Sequence, residues 1–335
     1  MSEGRAGGGG DRGRGKRASR GTRRTGGGWL DRAIRRLALF AAGFALRVGL
    51  GVALVLGGAT VMMYEALPDP ADLLDGRARG SVTLLDRRGD VFAWRGEQFG
   101  GEIRVGDVSP HLVAAILSAE DRRFYDHWGL DPRGLARAMV ANIRAGRIVQ
   151  GGSTITQQVA KNVFLSNERS IERKLKEIPM ALAMEIKYEK DEILSVYLNR
   201  VYLGAGTHGF EAASQRYFGK SAAFVGPAEA AMLAGLLKAP SRFSPTNDIA
   251  AARARAAVVL DAMEATGALT PAQAARARAE PARLSDAASR RRGAQFADWV
   301  MAMGPDYLTR DTAEDVAIRT TFDPAAQDAA ERALR

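Results

Sequence analysis

The sequence contains no cysteine and only three histidines among its 335 residues. Without cysteine the chain has no disulfide scaffold, no cysteine nucleophile and no thiolate zinc site. Three histidines leave little for a histidine-rich metal centre. We therefore expect a functional site built neither on cysteine thiolates nor on a group of histidine side chains.

Acidic charge is also scarce relative to basic charge, and the formal net charge is +10. Residues 1–36 hold 11 Lys/Arg and 3 Asp/Glu, which leaves a net charge of only +2 on the other 299 residues. A folded nucleic-acid-binding face carries its excess charge on the globular part, so we expect no nucleic-acid partner. With 46% hydrophobic and 26% charged residues, the chain can bury a core in one or two domains.

The N-terminal region divides into a polar tail and an apolar run. Residues 1–36 are predicted to be a disordered basic tail, because the first 28 residues include 11 glycines and no apolar periodicity. Residues 37–64 are predicted to be a transmembrane anchor. Within them, residues 48–64 carry no charge over 17 positions, about 26 Å of helix. Arg47 lies near one end, where its side chain can reach the headgroups.

Charges on the two sides of this apolar run differ in sign. Basic residues precede it and acidic residues follow it: Arg32, Arg35 and Arg36 before, and Glu65, Asp69 and Asp72 after. The positive-inside rule therefore predicts a single-pass type II protein of the inner (cytoplasmic) membrane, with the tail in the cytoplasm. A cleaved signal peptide is the alternative. Its apolar region would be shorter and would end at an A-x-A-like site rather than at Met62-Met63-Tyr64.

The rest of the chain reads as mainly helical. A linker with Pro68 and Pro70 is predicted over residues 65–80, and short β-like runs around Arg87-Arg88-Gly89-Asp90 predict a hairpin. A domain is predicted over residues 81–247, followed by a helical linker region over 248–335. The helical periodicity predicts helices over residues 111–120, 131–145, 153–164, 170–187, 190–200, 208–217 and 227–237.

Two polar clusters are candidates for a site. Glu120 ends an apolar stretch and is expected at the rim of a core, where partial desolvation suits a carboxylate for general-base chemistry. Taken alone, a Glu-Asp pair is more often an exposed helix end. The second cluster follows Gly151-Gly152, where Ser153 can cap a helix that carries amides and a cation able to bind sugar hydroxyls or phosphate. A solvated helix is its structural alternative.

A third cluster alternates cations with glutamates. Arg169, Arg173 and Lys174 lie among Glu168, Glu172 and Glu177. Arg173 and Glu177 are four residues apart, so an exposed ion pair on a helix is the structural interpretation.

The order of these clusters carries more information than any one of them. The segments AILSAEDRRFYDHWG, GGSTITQQVAKN, RKLKE, ILSVYLN and RYFGK to LLKAPSRFSP follow one another between residues 115 and 245. Together they closely resemble the five successive motifs of the family 51 peptidoglycan glycosyltransferases. The preceding anchor and the following Ala/Arg-rich helices resemble class A penicillin-binding proteins of the 1A type.

This resemblance implies a lysozyme-like glycosyltransferase domain with a small β-hairpin. It also implies polymerisation of lipid II, in which a sugar hydroxyl displaces undecaprenyl pyrophosphate with inversion. Glu120 is then the base, and Glu177 is a second catalytic carboxylate that orients cations or holds a divalent metal, Mg²⁺ or Mn²⁺. The implied substrate-binding residues are Ser153, Thr154, Gln157, Gln158, Lys161, Asn162, Arg169, Arg173 and Lys174, supported by Asp121, Phe124 and His127.

The resemblance also implies partners: lipid II, the growing glycan strand, membrane lipids and unidentified cell wall synthesis proteins. No serine is followed by lysine three positions later and no Lys-Thr-Gly occurs, so transpeptidase activity is not expected. We therefore expect an N-terminal fragment that ends at the start of a truncated transpeptidase region.

Two other functions stay open at this point. One is a lytic enzyme that cuts the same glycan with a single glutamate, and the other is a membrane-anchored scaffold without catalysis. Hydrolysis needs no pyrophosphate site, so the group of Lys161, Arg169 and Arg173 favours the transferase.

The charge asymmetry generates a test of topology. A periplasmic-type reporter fused after residue 75 should be active outside the cytoplasm, because the basic residues hold the tail inside. Reporter activity only in the cytoplasm would contradict the type II orientation.

Overall fold

The computed structural model describes residues 28–74, 80–147, 151–165, 170–289, 293–304 and 315–334. The chain divides into two compact units, residues 1–55 and residues 56–335. Each unit is described by itself below.

Helix α1, Gly28–Ala66, contains the predicted anchor. It begins at Gly28 rather than at residue 37, so residues 28–36, predicted as tail, are helical. The good helix formers Arg, Ala and Leu in this stretch account for the earlier start. Its Arg32–Ala66 part is long and apolar enough to cross a membrane. This part of the helix fits the predicted transmembrane anchor. Residues 1–27 of the predicted tail lie outside the described residues.

The region predicted as a linker packs against the folded unit. It contains a short helix, α2 (Pro70–Leu74), and Leu67, Leu73 and Leu74 are buried in the main core. The hydroxyl of Tyr188 donates to the carbonyl of Pro68 at 2.7 Å, and Lys187 donates to the carbonyl of Leu67. Its apolar residues therefore tie this region to the helical domain.

Most of the larger unit is helical, which confirms the predicted mainly α fold. The helices that follow α2 are α3 (Pro110–Glu120), α4 (Pro132–Ala145), α5 (Ile155–Val159), α6 (Ile171–Lys187), α7 (Lys190–Arg200), α8 (Phe210–Phe218), α9 (Pro227–Leu236), α10 (Ile249–Ala265), α11 (Pro271–Ala279), α12 (Asp286–Ser289), α13 (Ala294–Met303) and α14 (Pro324–Ala333). A π-helical turn, Ala160–Phe164, continues α5. Short 3-10 turns lie at Val105–Asp107, Phe124–Asp126 and Ala222–Phe224.

The predicted hairpin is present and belongs to a larger sheet. Strand β1 (Val82–Leu85) pairs antiparallel with β2 (Val91–Arg95), and Gly89 takes a φ of 95° in the turn between them. Glycine suits this turn because other residues rarely adopt a positive φ. Strands β3 (Gln98–Phe99) and β4 (Thr207–His208) form a separate parallel pair. Strand β5 (Val316–Arg319) pairs parallel with β1, so the three-stranded sheet has the order β2-β1-β5.

Helix α10 lies beyond the predicted domain end at residue 247, yet it packs in the main core. Ala256, Val259 and Met263 are buried there, against α9 and α3. The hydroxyls of Ser118 on α3 and Thr266 after α10 are 2.8 Å apart. Apolar residues at helical spacing give α10 a buried stripe, so it forms one wall of the domain rather than a separate linker.

Gly209 allows the chain to turn from β4 into α8. Its φ is 81°, and a Cβ atom there would lie 2.8 Å from the carbonyl oxygen of Asn199. We predict that Gly209→Ala lowers the free energy of unfolding by about 2–4 kcal/mol, through backbone strain and the clash. Chemical unfolding of the solubilised chain measures this. Gly106→Ala is the control, since a Cβ there meets no atom within 4 Å, and equal stability of the two variants would contradict the prediction.

Candidate active site

The end of α3 places Glu120 at the edge of the core. Ser109 caps the helix by accepting from the backbone NH of His111 at 3.3 Å, and Pro110 occupies its first turn. Leu112 and Ile116 anchor the helix in the core. Glu120, the last helical residue, is half-buried, and Gln158 donates to its Oε2 at 2.9 Å.

Asp121 joins three segments behind Glu120. Its buried carboxylate accepts from His127 Nε2 at 2.9 Å and from the backbone NH of Ile155 at 3.1 Å. Ile155 is the first residue of α5. Asp121 therefore fixes the start of α5 relative to the end of α3, a positioning role that agrees with the predicted support of Glu120.

The other two supporting residues lie behind the site. Phe124 is buried in the core, and Lys190 Nζ lies 4.6 Å from the centre of its ring. His127 is also buried and Lys190 Nζ donates to its carbonyl oxygen at 2.6 Å. Neither lines the cleft described below.

Thr154, not Ser153, caps α5. Thr154 Oγ1 accepts from the backbone NH of Gln157 at 3.1 Å and donates to the carbonyl of Gly129 at 2.6 Å. The Gln157 side chain accepts from the backbone NH of Thr154 at 3.1 Å, which completes a capping box. Thr154 is thus buried in a structural role, whereas Gln157 and the exposed Ser153 line the cleft.

A group of cations surrounds Glu177 on α6. The carboxylate is almost fully buried; Lys174 Nζ lies 2.5 Å from its Oε2 and Arg173 Nη1 lies 3.9 Å from its Oε1. Burial lowers the pKa of Lys161, and the positive charge of Arg173 lowers it further, while Glu177 opposes both effects. Arg173 Nε is buried without a hydrogen-bond partner among the described residues. The structural alternative of an exposed ion pair does not describe Glu177, whose buried carboxylate lies beside more cations than carboxylates.

One predicted substrate-binding residue is not brought into this group, and another lies outside the described residues. Asn162 is exposed and does not line the cleft. Arg169 lies outside the described residues, so its predicted role stays a prediction.

One cleft of about 510 Å³ connects Glu120 with the cations of α6. Four cationic residues without a predicted role also line it: Arg122, Arg137, Lys238 and Arg255. Arg122 and Lys238 lie in the quoted motifs, which could have signalled them. Arg255 lies on α10, where the Ala/Arg-rich composition gave no signal of a site.

The predicted divalent metal does not fit the residues around Glu177. Both of its carboxylate oxygens face cations, and no group of three Asp, Glu or His side chains gathers within the described ranges. Mg²⁺ and Mn²⁺ need several oxygen ligands, so a metal here would first have to displace Lys174. The arrangement suits an ammonium and a guanidinium better than a metal ion.

The chain is similar in sequence to known proteins. A family model described as transglycosylase matches residues 90–264. Penicillin-binding protein 1A of Aquifex aeolicus is 36% identical over 294 residues, which cover 86% of this chain and 40% of that protein. Penicillin-binding protein 1A of Neisseria flavescens is 38% identical over 286 residues, covering 83% and 35%. The chain therefore spans well under half the length of these relatives.

A solved structure is similar over part of its length. The 2.6 Å crystal structure of penicillin-binding protein 1A from Haemophilus influenzae aligns with a TM-score of 0.39 at 20% identity, over 76% of this chain and 28% of that one. The family assignment rests on the sequence match.

The contacts of Asp121 generate a prediction. Asp121→Asn replaces Oδ1, which lies 3.1 Å from His127 Nε2, with an amide nitrogen that cannot accept, so we expect a loss of about 1–3 kcal/mol in the free energy of unfolding. The start of α5 should also become more mobile, and backbone hydrogen exchange at Ile155 should quicken. Asp126→Asn, an exposed carboxylate of the same loop, is the control. Unchanged stability and exchange in Asp121→Asn would contradict the positioning role.

Proposed function

The chain belongs to the transglycosylase family, and on this premise we propose that it is a peptidoglycan glycosyltransferase. In the proposed reaction it polymerises lipid II into β-1,4-linked glycan strands and releases undecaprenyl pyrophosphate with inversion. One observation carries the proposal: a single cleft holds a half-buried carboxylate and a group of cations in excess over their counter-ion. Glycosyl transfer from a pyrophosphate donor needs both, a base for the acceptor and cations for the leaving group.

Glu120 is the proposed base. Gln158, a neutral amide, donates to its Oε2, and no described residue donates to Oε1, which can then accept from a sugar hydroxyl. Tyr197 in turn donates to the Oε1 of Gln158 at 3.3 Å, which sets the direction of the amide group. In the proposed step, Glu120 takes the proton of the acceptor hydroxyl as that oxygen attacks the anomeric carbon.

The cations around Glu177 are the proposed pyrophosphate site. Lys161, Arg173 and Lys174 carry three positive charges against one carboxylate, so the cluster attracts an anion. The buried Nε of Arg173 lacks a partner among the described side chains, and a phosphate oxygen would supply one. As the glycosidic bond breaks, these groups stabilise the charge that grows on the leaving pyrophosphate. A lytic enzyme would not need such a cluster.

An exposed apolar face on α4 supports membrane lipids as partners. Leu135, Met139 and Ile143 recur every four residues and are 53%, 57% and 72% exposed. Arg133 and Arg144 lie on the same helix. Helices of this kind lie in the membrane interface, where a lipid-linked substrate is available.

Variants of Glu120 and Lys161 should separate the two roles. Glu120→Gln should reduce polymerisation of labelled lipid II about 10²- to 10⁴-fold while binding of a non-reactive lipid II analogue survives. Lys161→Ala should reduce both turnover and analogue binding, because the pyrophosphate is already charged in the ground state.

Lys176→Ala is the matched control, since Lys176 is a lysine of α6 that pairs with Glu172 on the exposed surface. Full activity of Glu120→Gln would remove the base assignment, and unchanged analogue binding in Lys161→Ala would remove the pyrophosphate role. Cleaved glycan as the product would indicate the lytic reaction instead, and no product would indicate a scaffold.

A further inference from the structure

Helix α4 has three different faces along its 14 residues. At about 100° per residue, Gly134 and Ala138 fall on one side of the helix, and both are buried. The apolar face lies opposite and includes Met139, Val140 and Ile143, which are exposed. The third face, the cationic flank, lies between the other two within about 40° of arc. It consists of Arg133, Arg137 and Arg144.

The buried side fixes the direction in which α4 is turned. A Cβ atom at Gly152 would lie 2.7 Å from Leu135 Cδ1 and 3.8 Å from Ala138 Cβ, so the segment before α5 lies directly against this side of the helix. At the start of α4, the buried carboxylate of Asp131 accepts from Arg123 Nε at 3.3 Å. Because one end and one side of the helix are held in this way, the apolar face and the cationic flank stay exposed.

The cationic flank has no counter-charge on its own helix. Helix α4 contains no aspartate or glutamate, and no ion pair of Arg133 or Arg144 occurs among the described residues. Both of these arginines are exposed, and Arg137 lines the cleft. The flank therefore carries an excess of positive charge directly beside an exposed apolar surface.

This combination fits an anionic membrane surface. The phosphate groups of anionic phospholipids attract guanidinium groups, and their acyl chains accept apolar side chains without any hydrogen bond. The apolar face has no polar side chain and consists of Pro132, Leu135, Ala136, Met139, Val140 and Ile143. A nucleic acid would leave this face in water, and protein interfaces surround their apolar centre with hydrogen-bonding groups. An acidic protein surface is the alternative that the experiment has to exclude.

We propose that α4 selects anionic phospholipids: the cationic flank binds their phosphate groups while the apolar face enters the boundary between headgroups and acyl chains. The inference rests on the proposed function for the contact of α4 with membrane lipids, which by itself needs only the apolar face. Because Arg137 belongs both to the flank and to the lining of the cleft, the same contact brings the cleft to the level of the lipid headgroups.

The absence of cysteine allows a single reporter to be placed on α4. In the full chain, Ile143→Cys is labelled with an environment-sensitive fluorophore. The chain is reconstituted into nanodiscs of phosphatidylcholine with increasing fractions of phosphatidylglycerol, and brominated acyl chains quench the fluorophore once α4 lies in the bilayer. Ala275→Cys on α11, an exposed position on another helix, is the control site for the label.

Quenching at position 143 should increase with the fraction of phosphatidylglycerol and decrease with added salt, because salt screens exposed charges. Arg133→Gln combined with Arg144→Gln should lower the ratio of docked to undocked α4 about 25-fold, since each basic side chain near an anionic surface contributes about fivefold. Lysine at both positions should restore docking. Arg276→Gln combined with Arg283→Gln removes the same charge from two other exposed arginines and should leave quenching unchanged.

Three results overturn the inference. Equal quenching in nanodiscs with and without phosphatidylglycerol indicates that the apolar face alone binds lipid. An unchanged response in the double glutamine variant excludes the contact between arginine and phosphate. No quenching at position 143 in any nanodisc excludes the membrane placement of α4 and leaves this surface to a protein partner.

Polymerisation of labelled lipid II in the same nanodiscs keeps the inference separate from the proposed function. Quenching that depends on phosphatidylglycerol, without any glycan product, overturns only the proposed reaction. Glycan product without such quenching overturns only the inference.

Discussion

The buried carboxylate of Asp121 is the interaction on which the site depends. It ties the end of α3 to the ring of His127 and to the first backbone NH of α5. Glu120 precedes it in the chain, and Gln158 follows in α5, so the same carboxylate sets the distance between the candidate base and the amide that holds it. A buried charge needs several hydrogen bonds to be tolerated, and here these bonds connect three segments.

The second organising constraint is an imbalance of charge. One buried carboxylate, Glu177, stands against Lys161, Arg173 and Lys174, and Arg255 lines the same cleft. This excess of cations over carboxylates gives the cleft a positive electrostatic potential.

Local patterns in the sequence were sufficient for much of the architecture. Apolar periodicity and breaks predicted the helices from α3 to α9 to within a few residues, and Gly89 marked the hairpin turn. Ser153 is able to cap a helix, but the cap of α5 is Thr154, because its hydroxyl also reaches the carbonyl of Gly129, a contact between segments far apart in the chain. Helix α10, predicted as part of a linker, belongs to the core. Its buried apolar residues contact α3 and α9, which are distant in the sequence and come together only in the folded chain.

By itself the sequence determined the family, the apolar helix at the N-terminus, the helical class of the fold and the candidate roles of Glu120 and Glu177. These follow from motifs and periodicities that each extend over a few turns. Only the tertiary structure decided that Glu177 is buried among cations rather than exposed, that Phe124 and Thr154 are structural, and that Lys238 and Arg255 reach the cleft. The reason is that burial and charge pairing arise where helices far apart in the chain pack together.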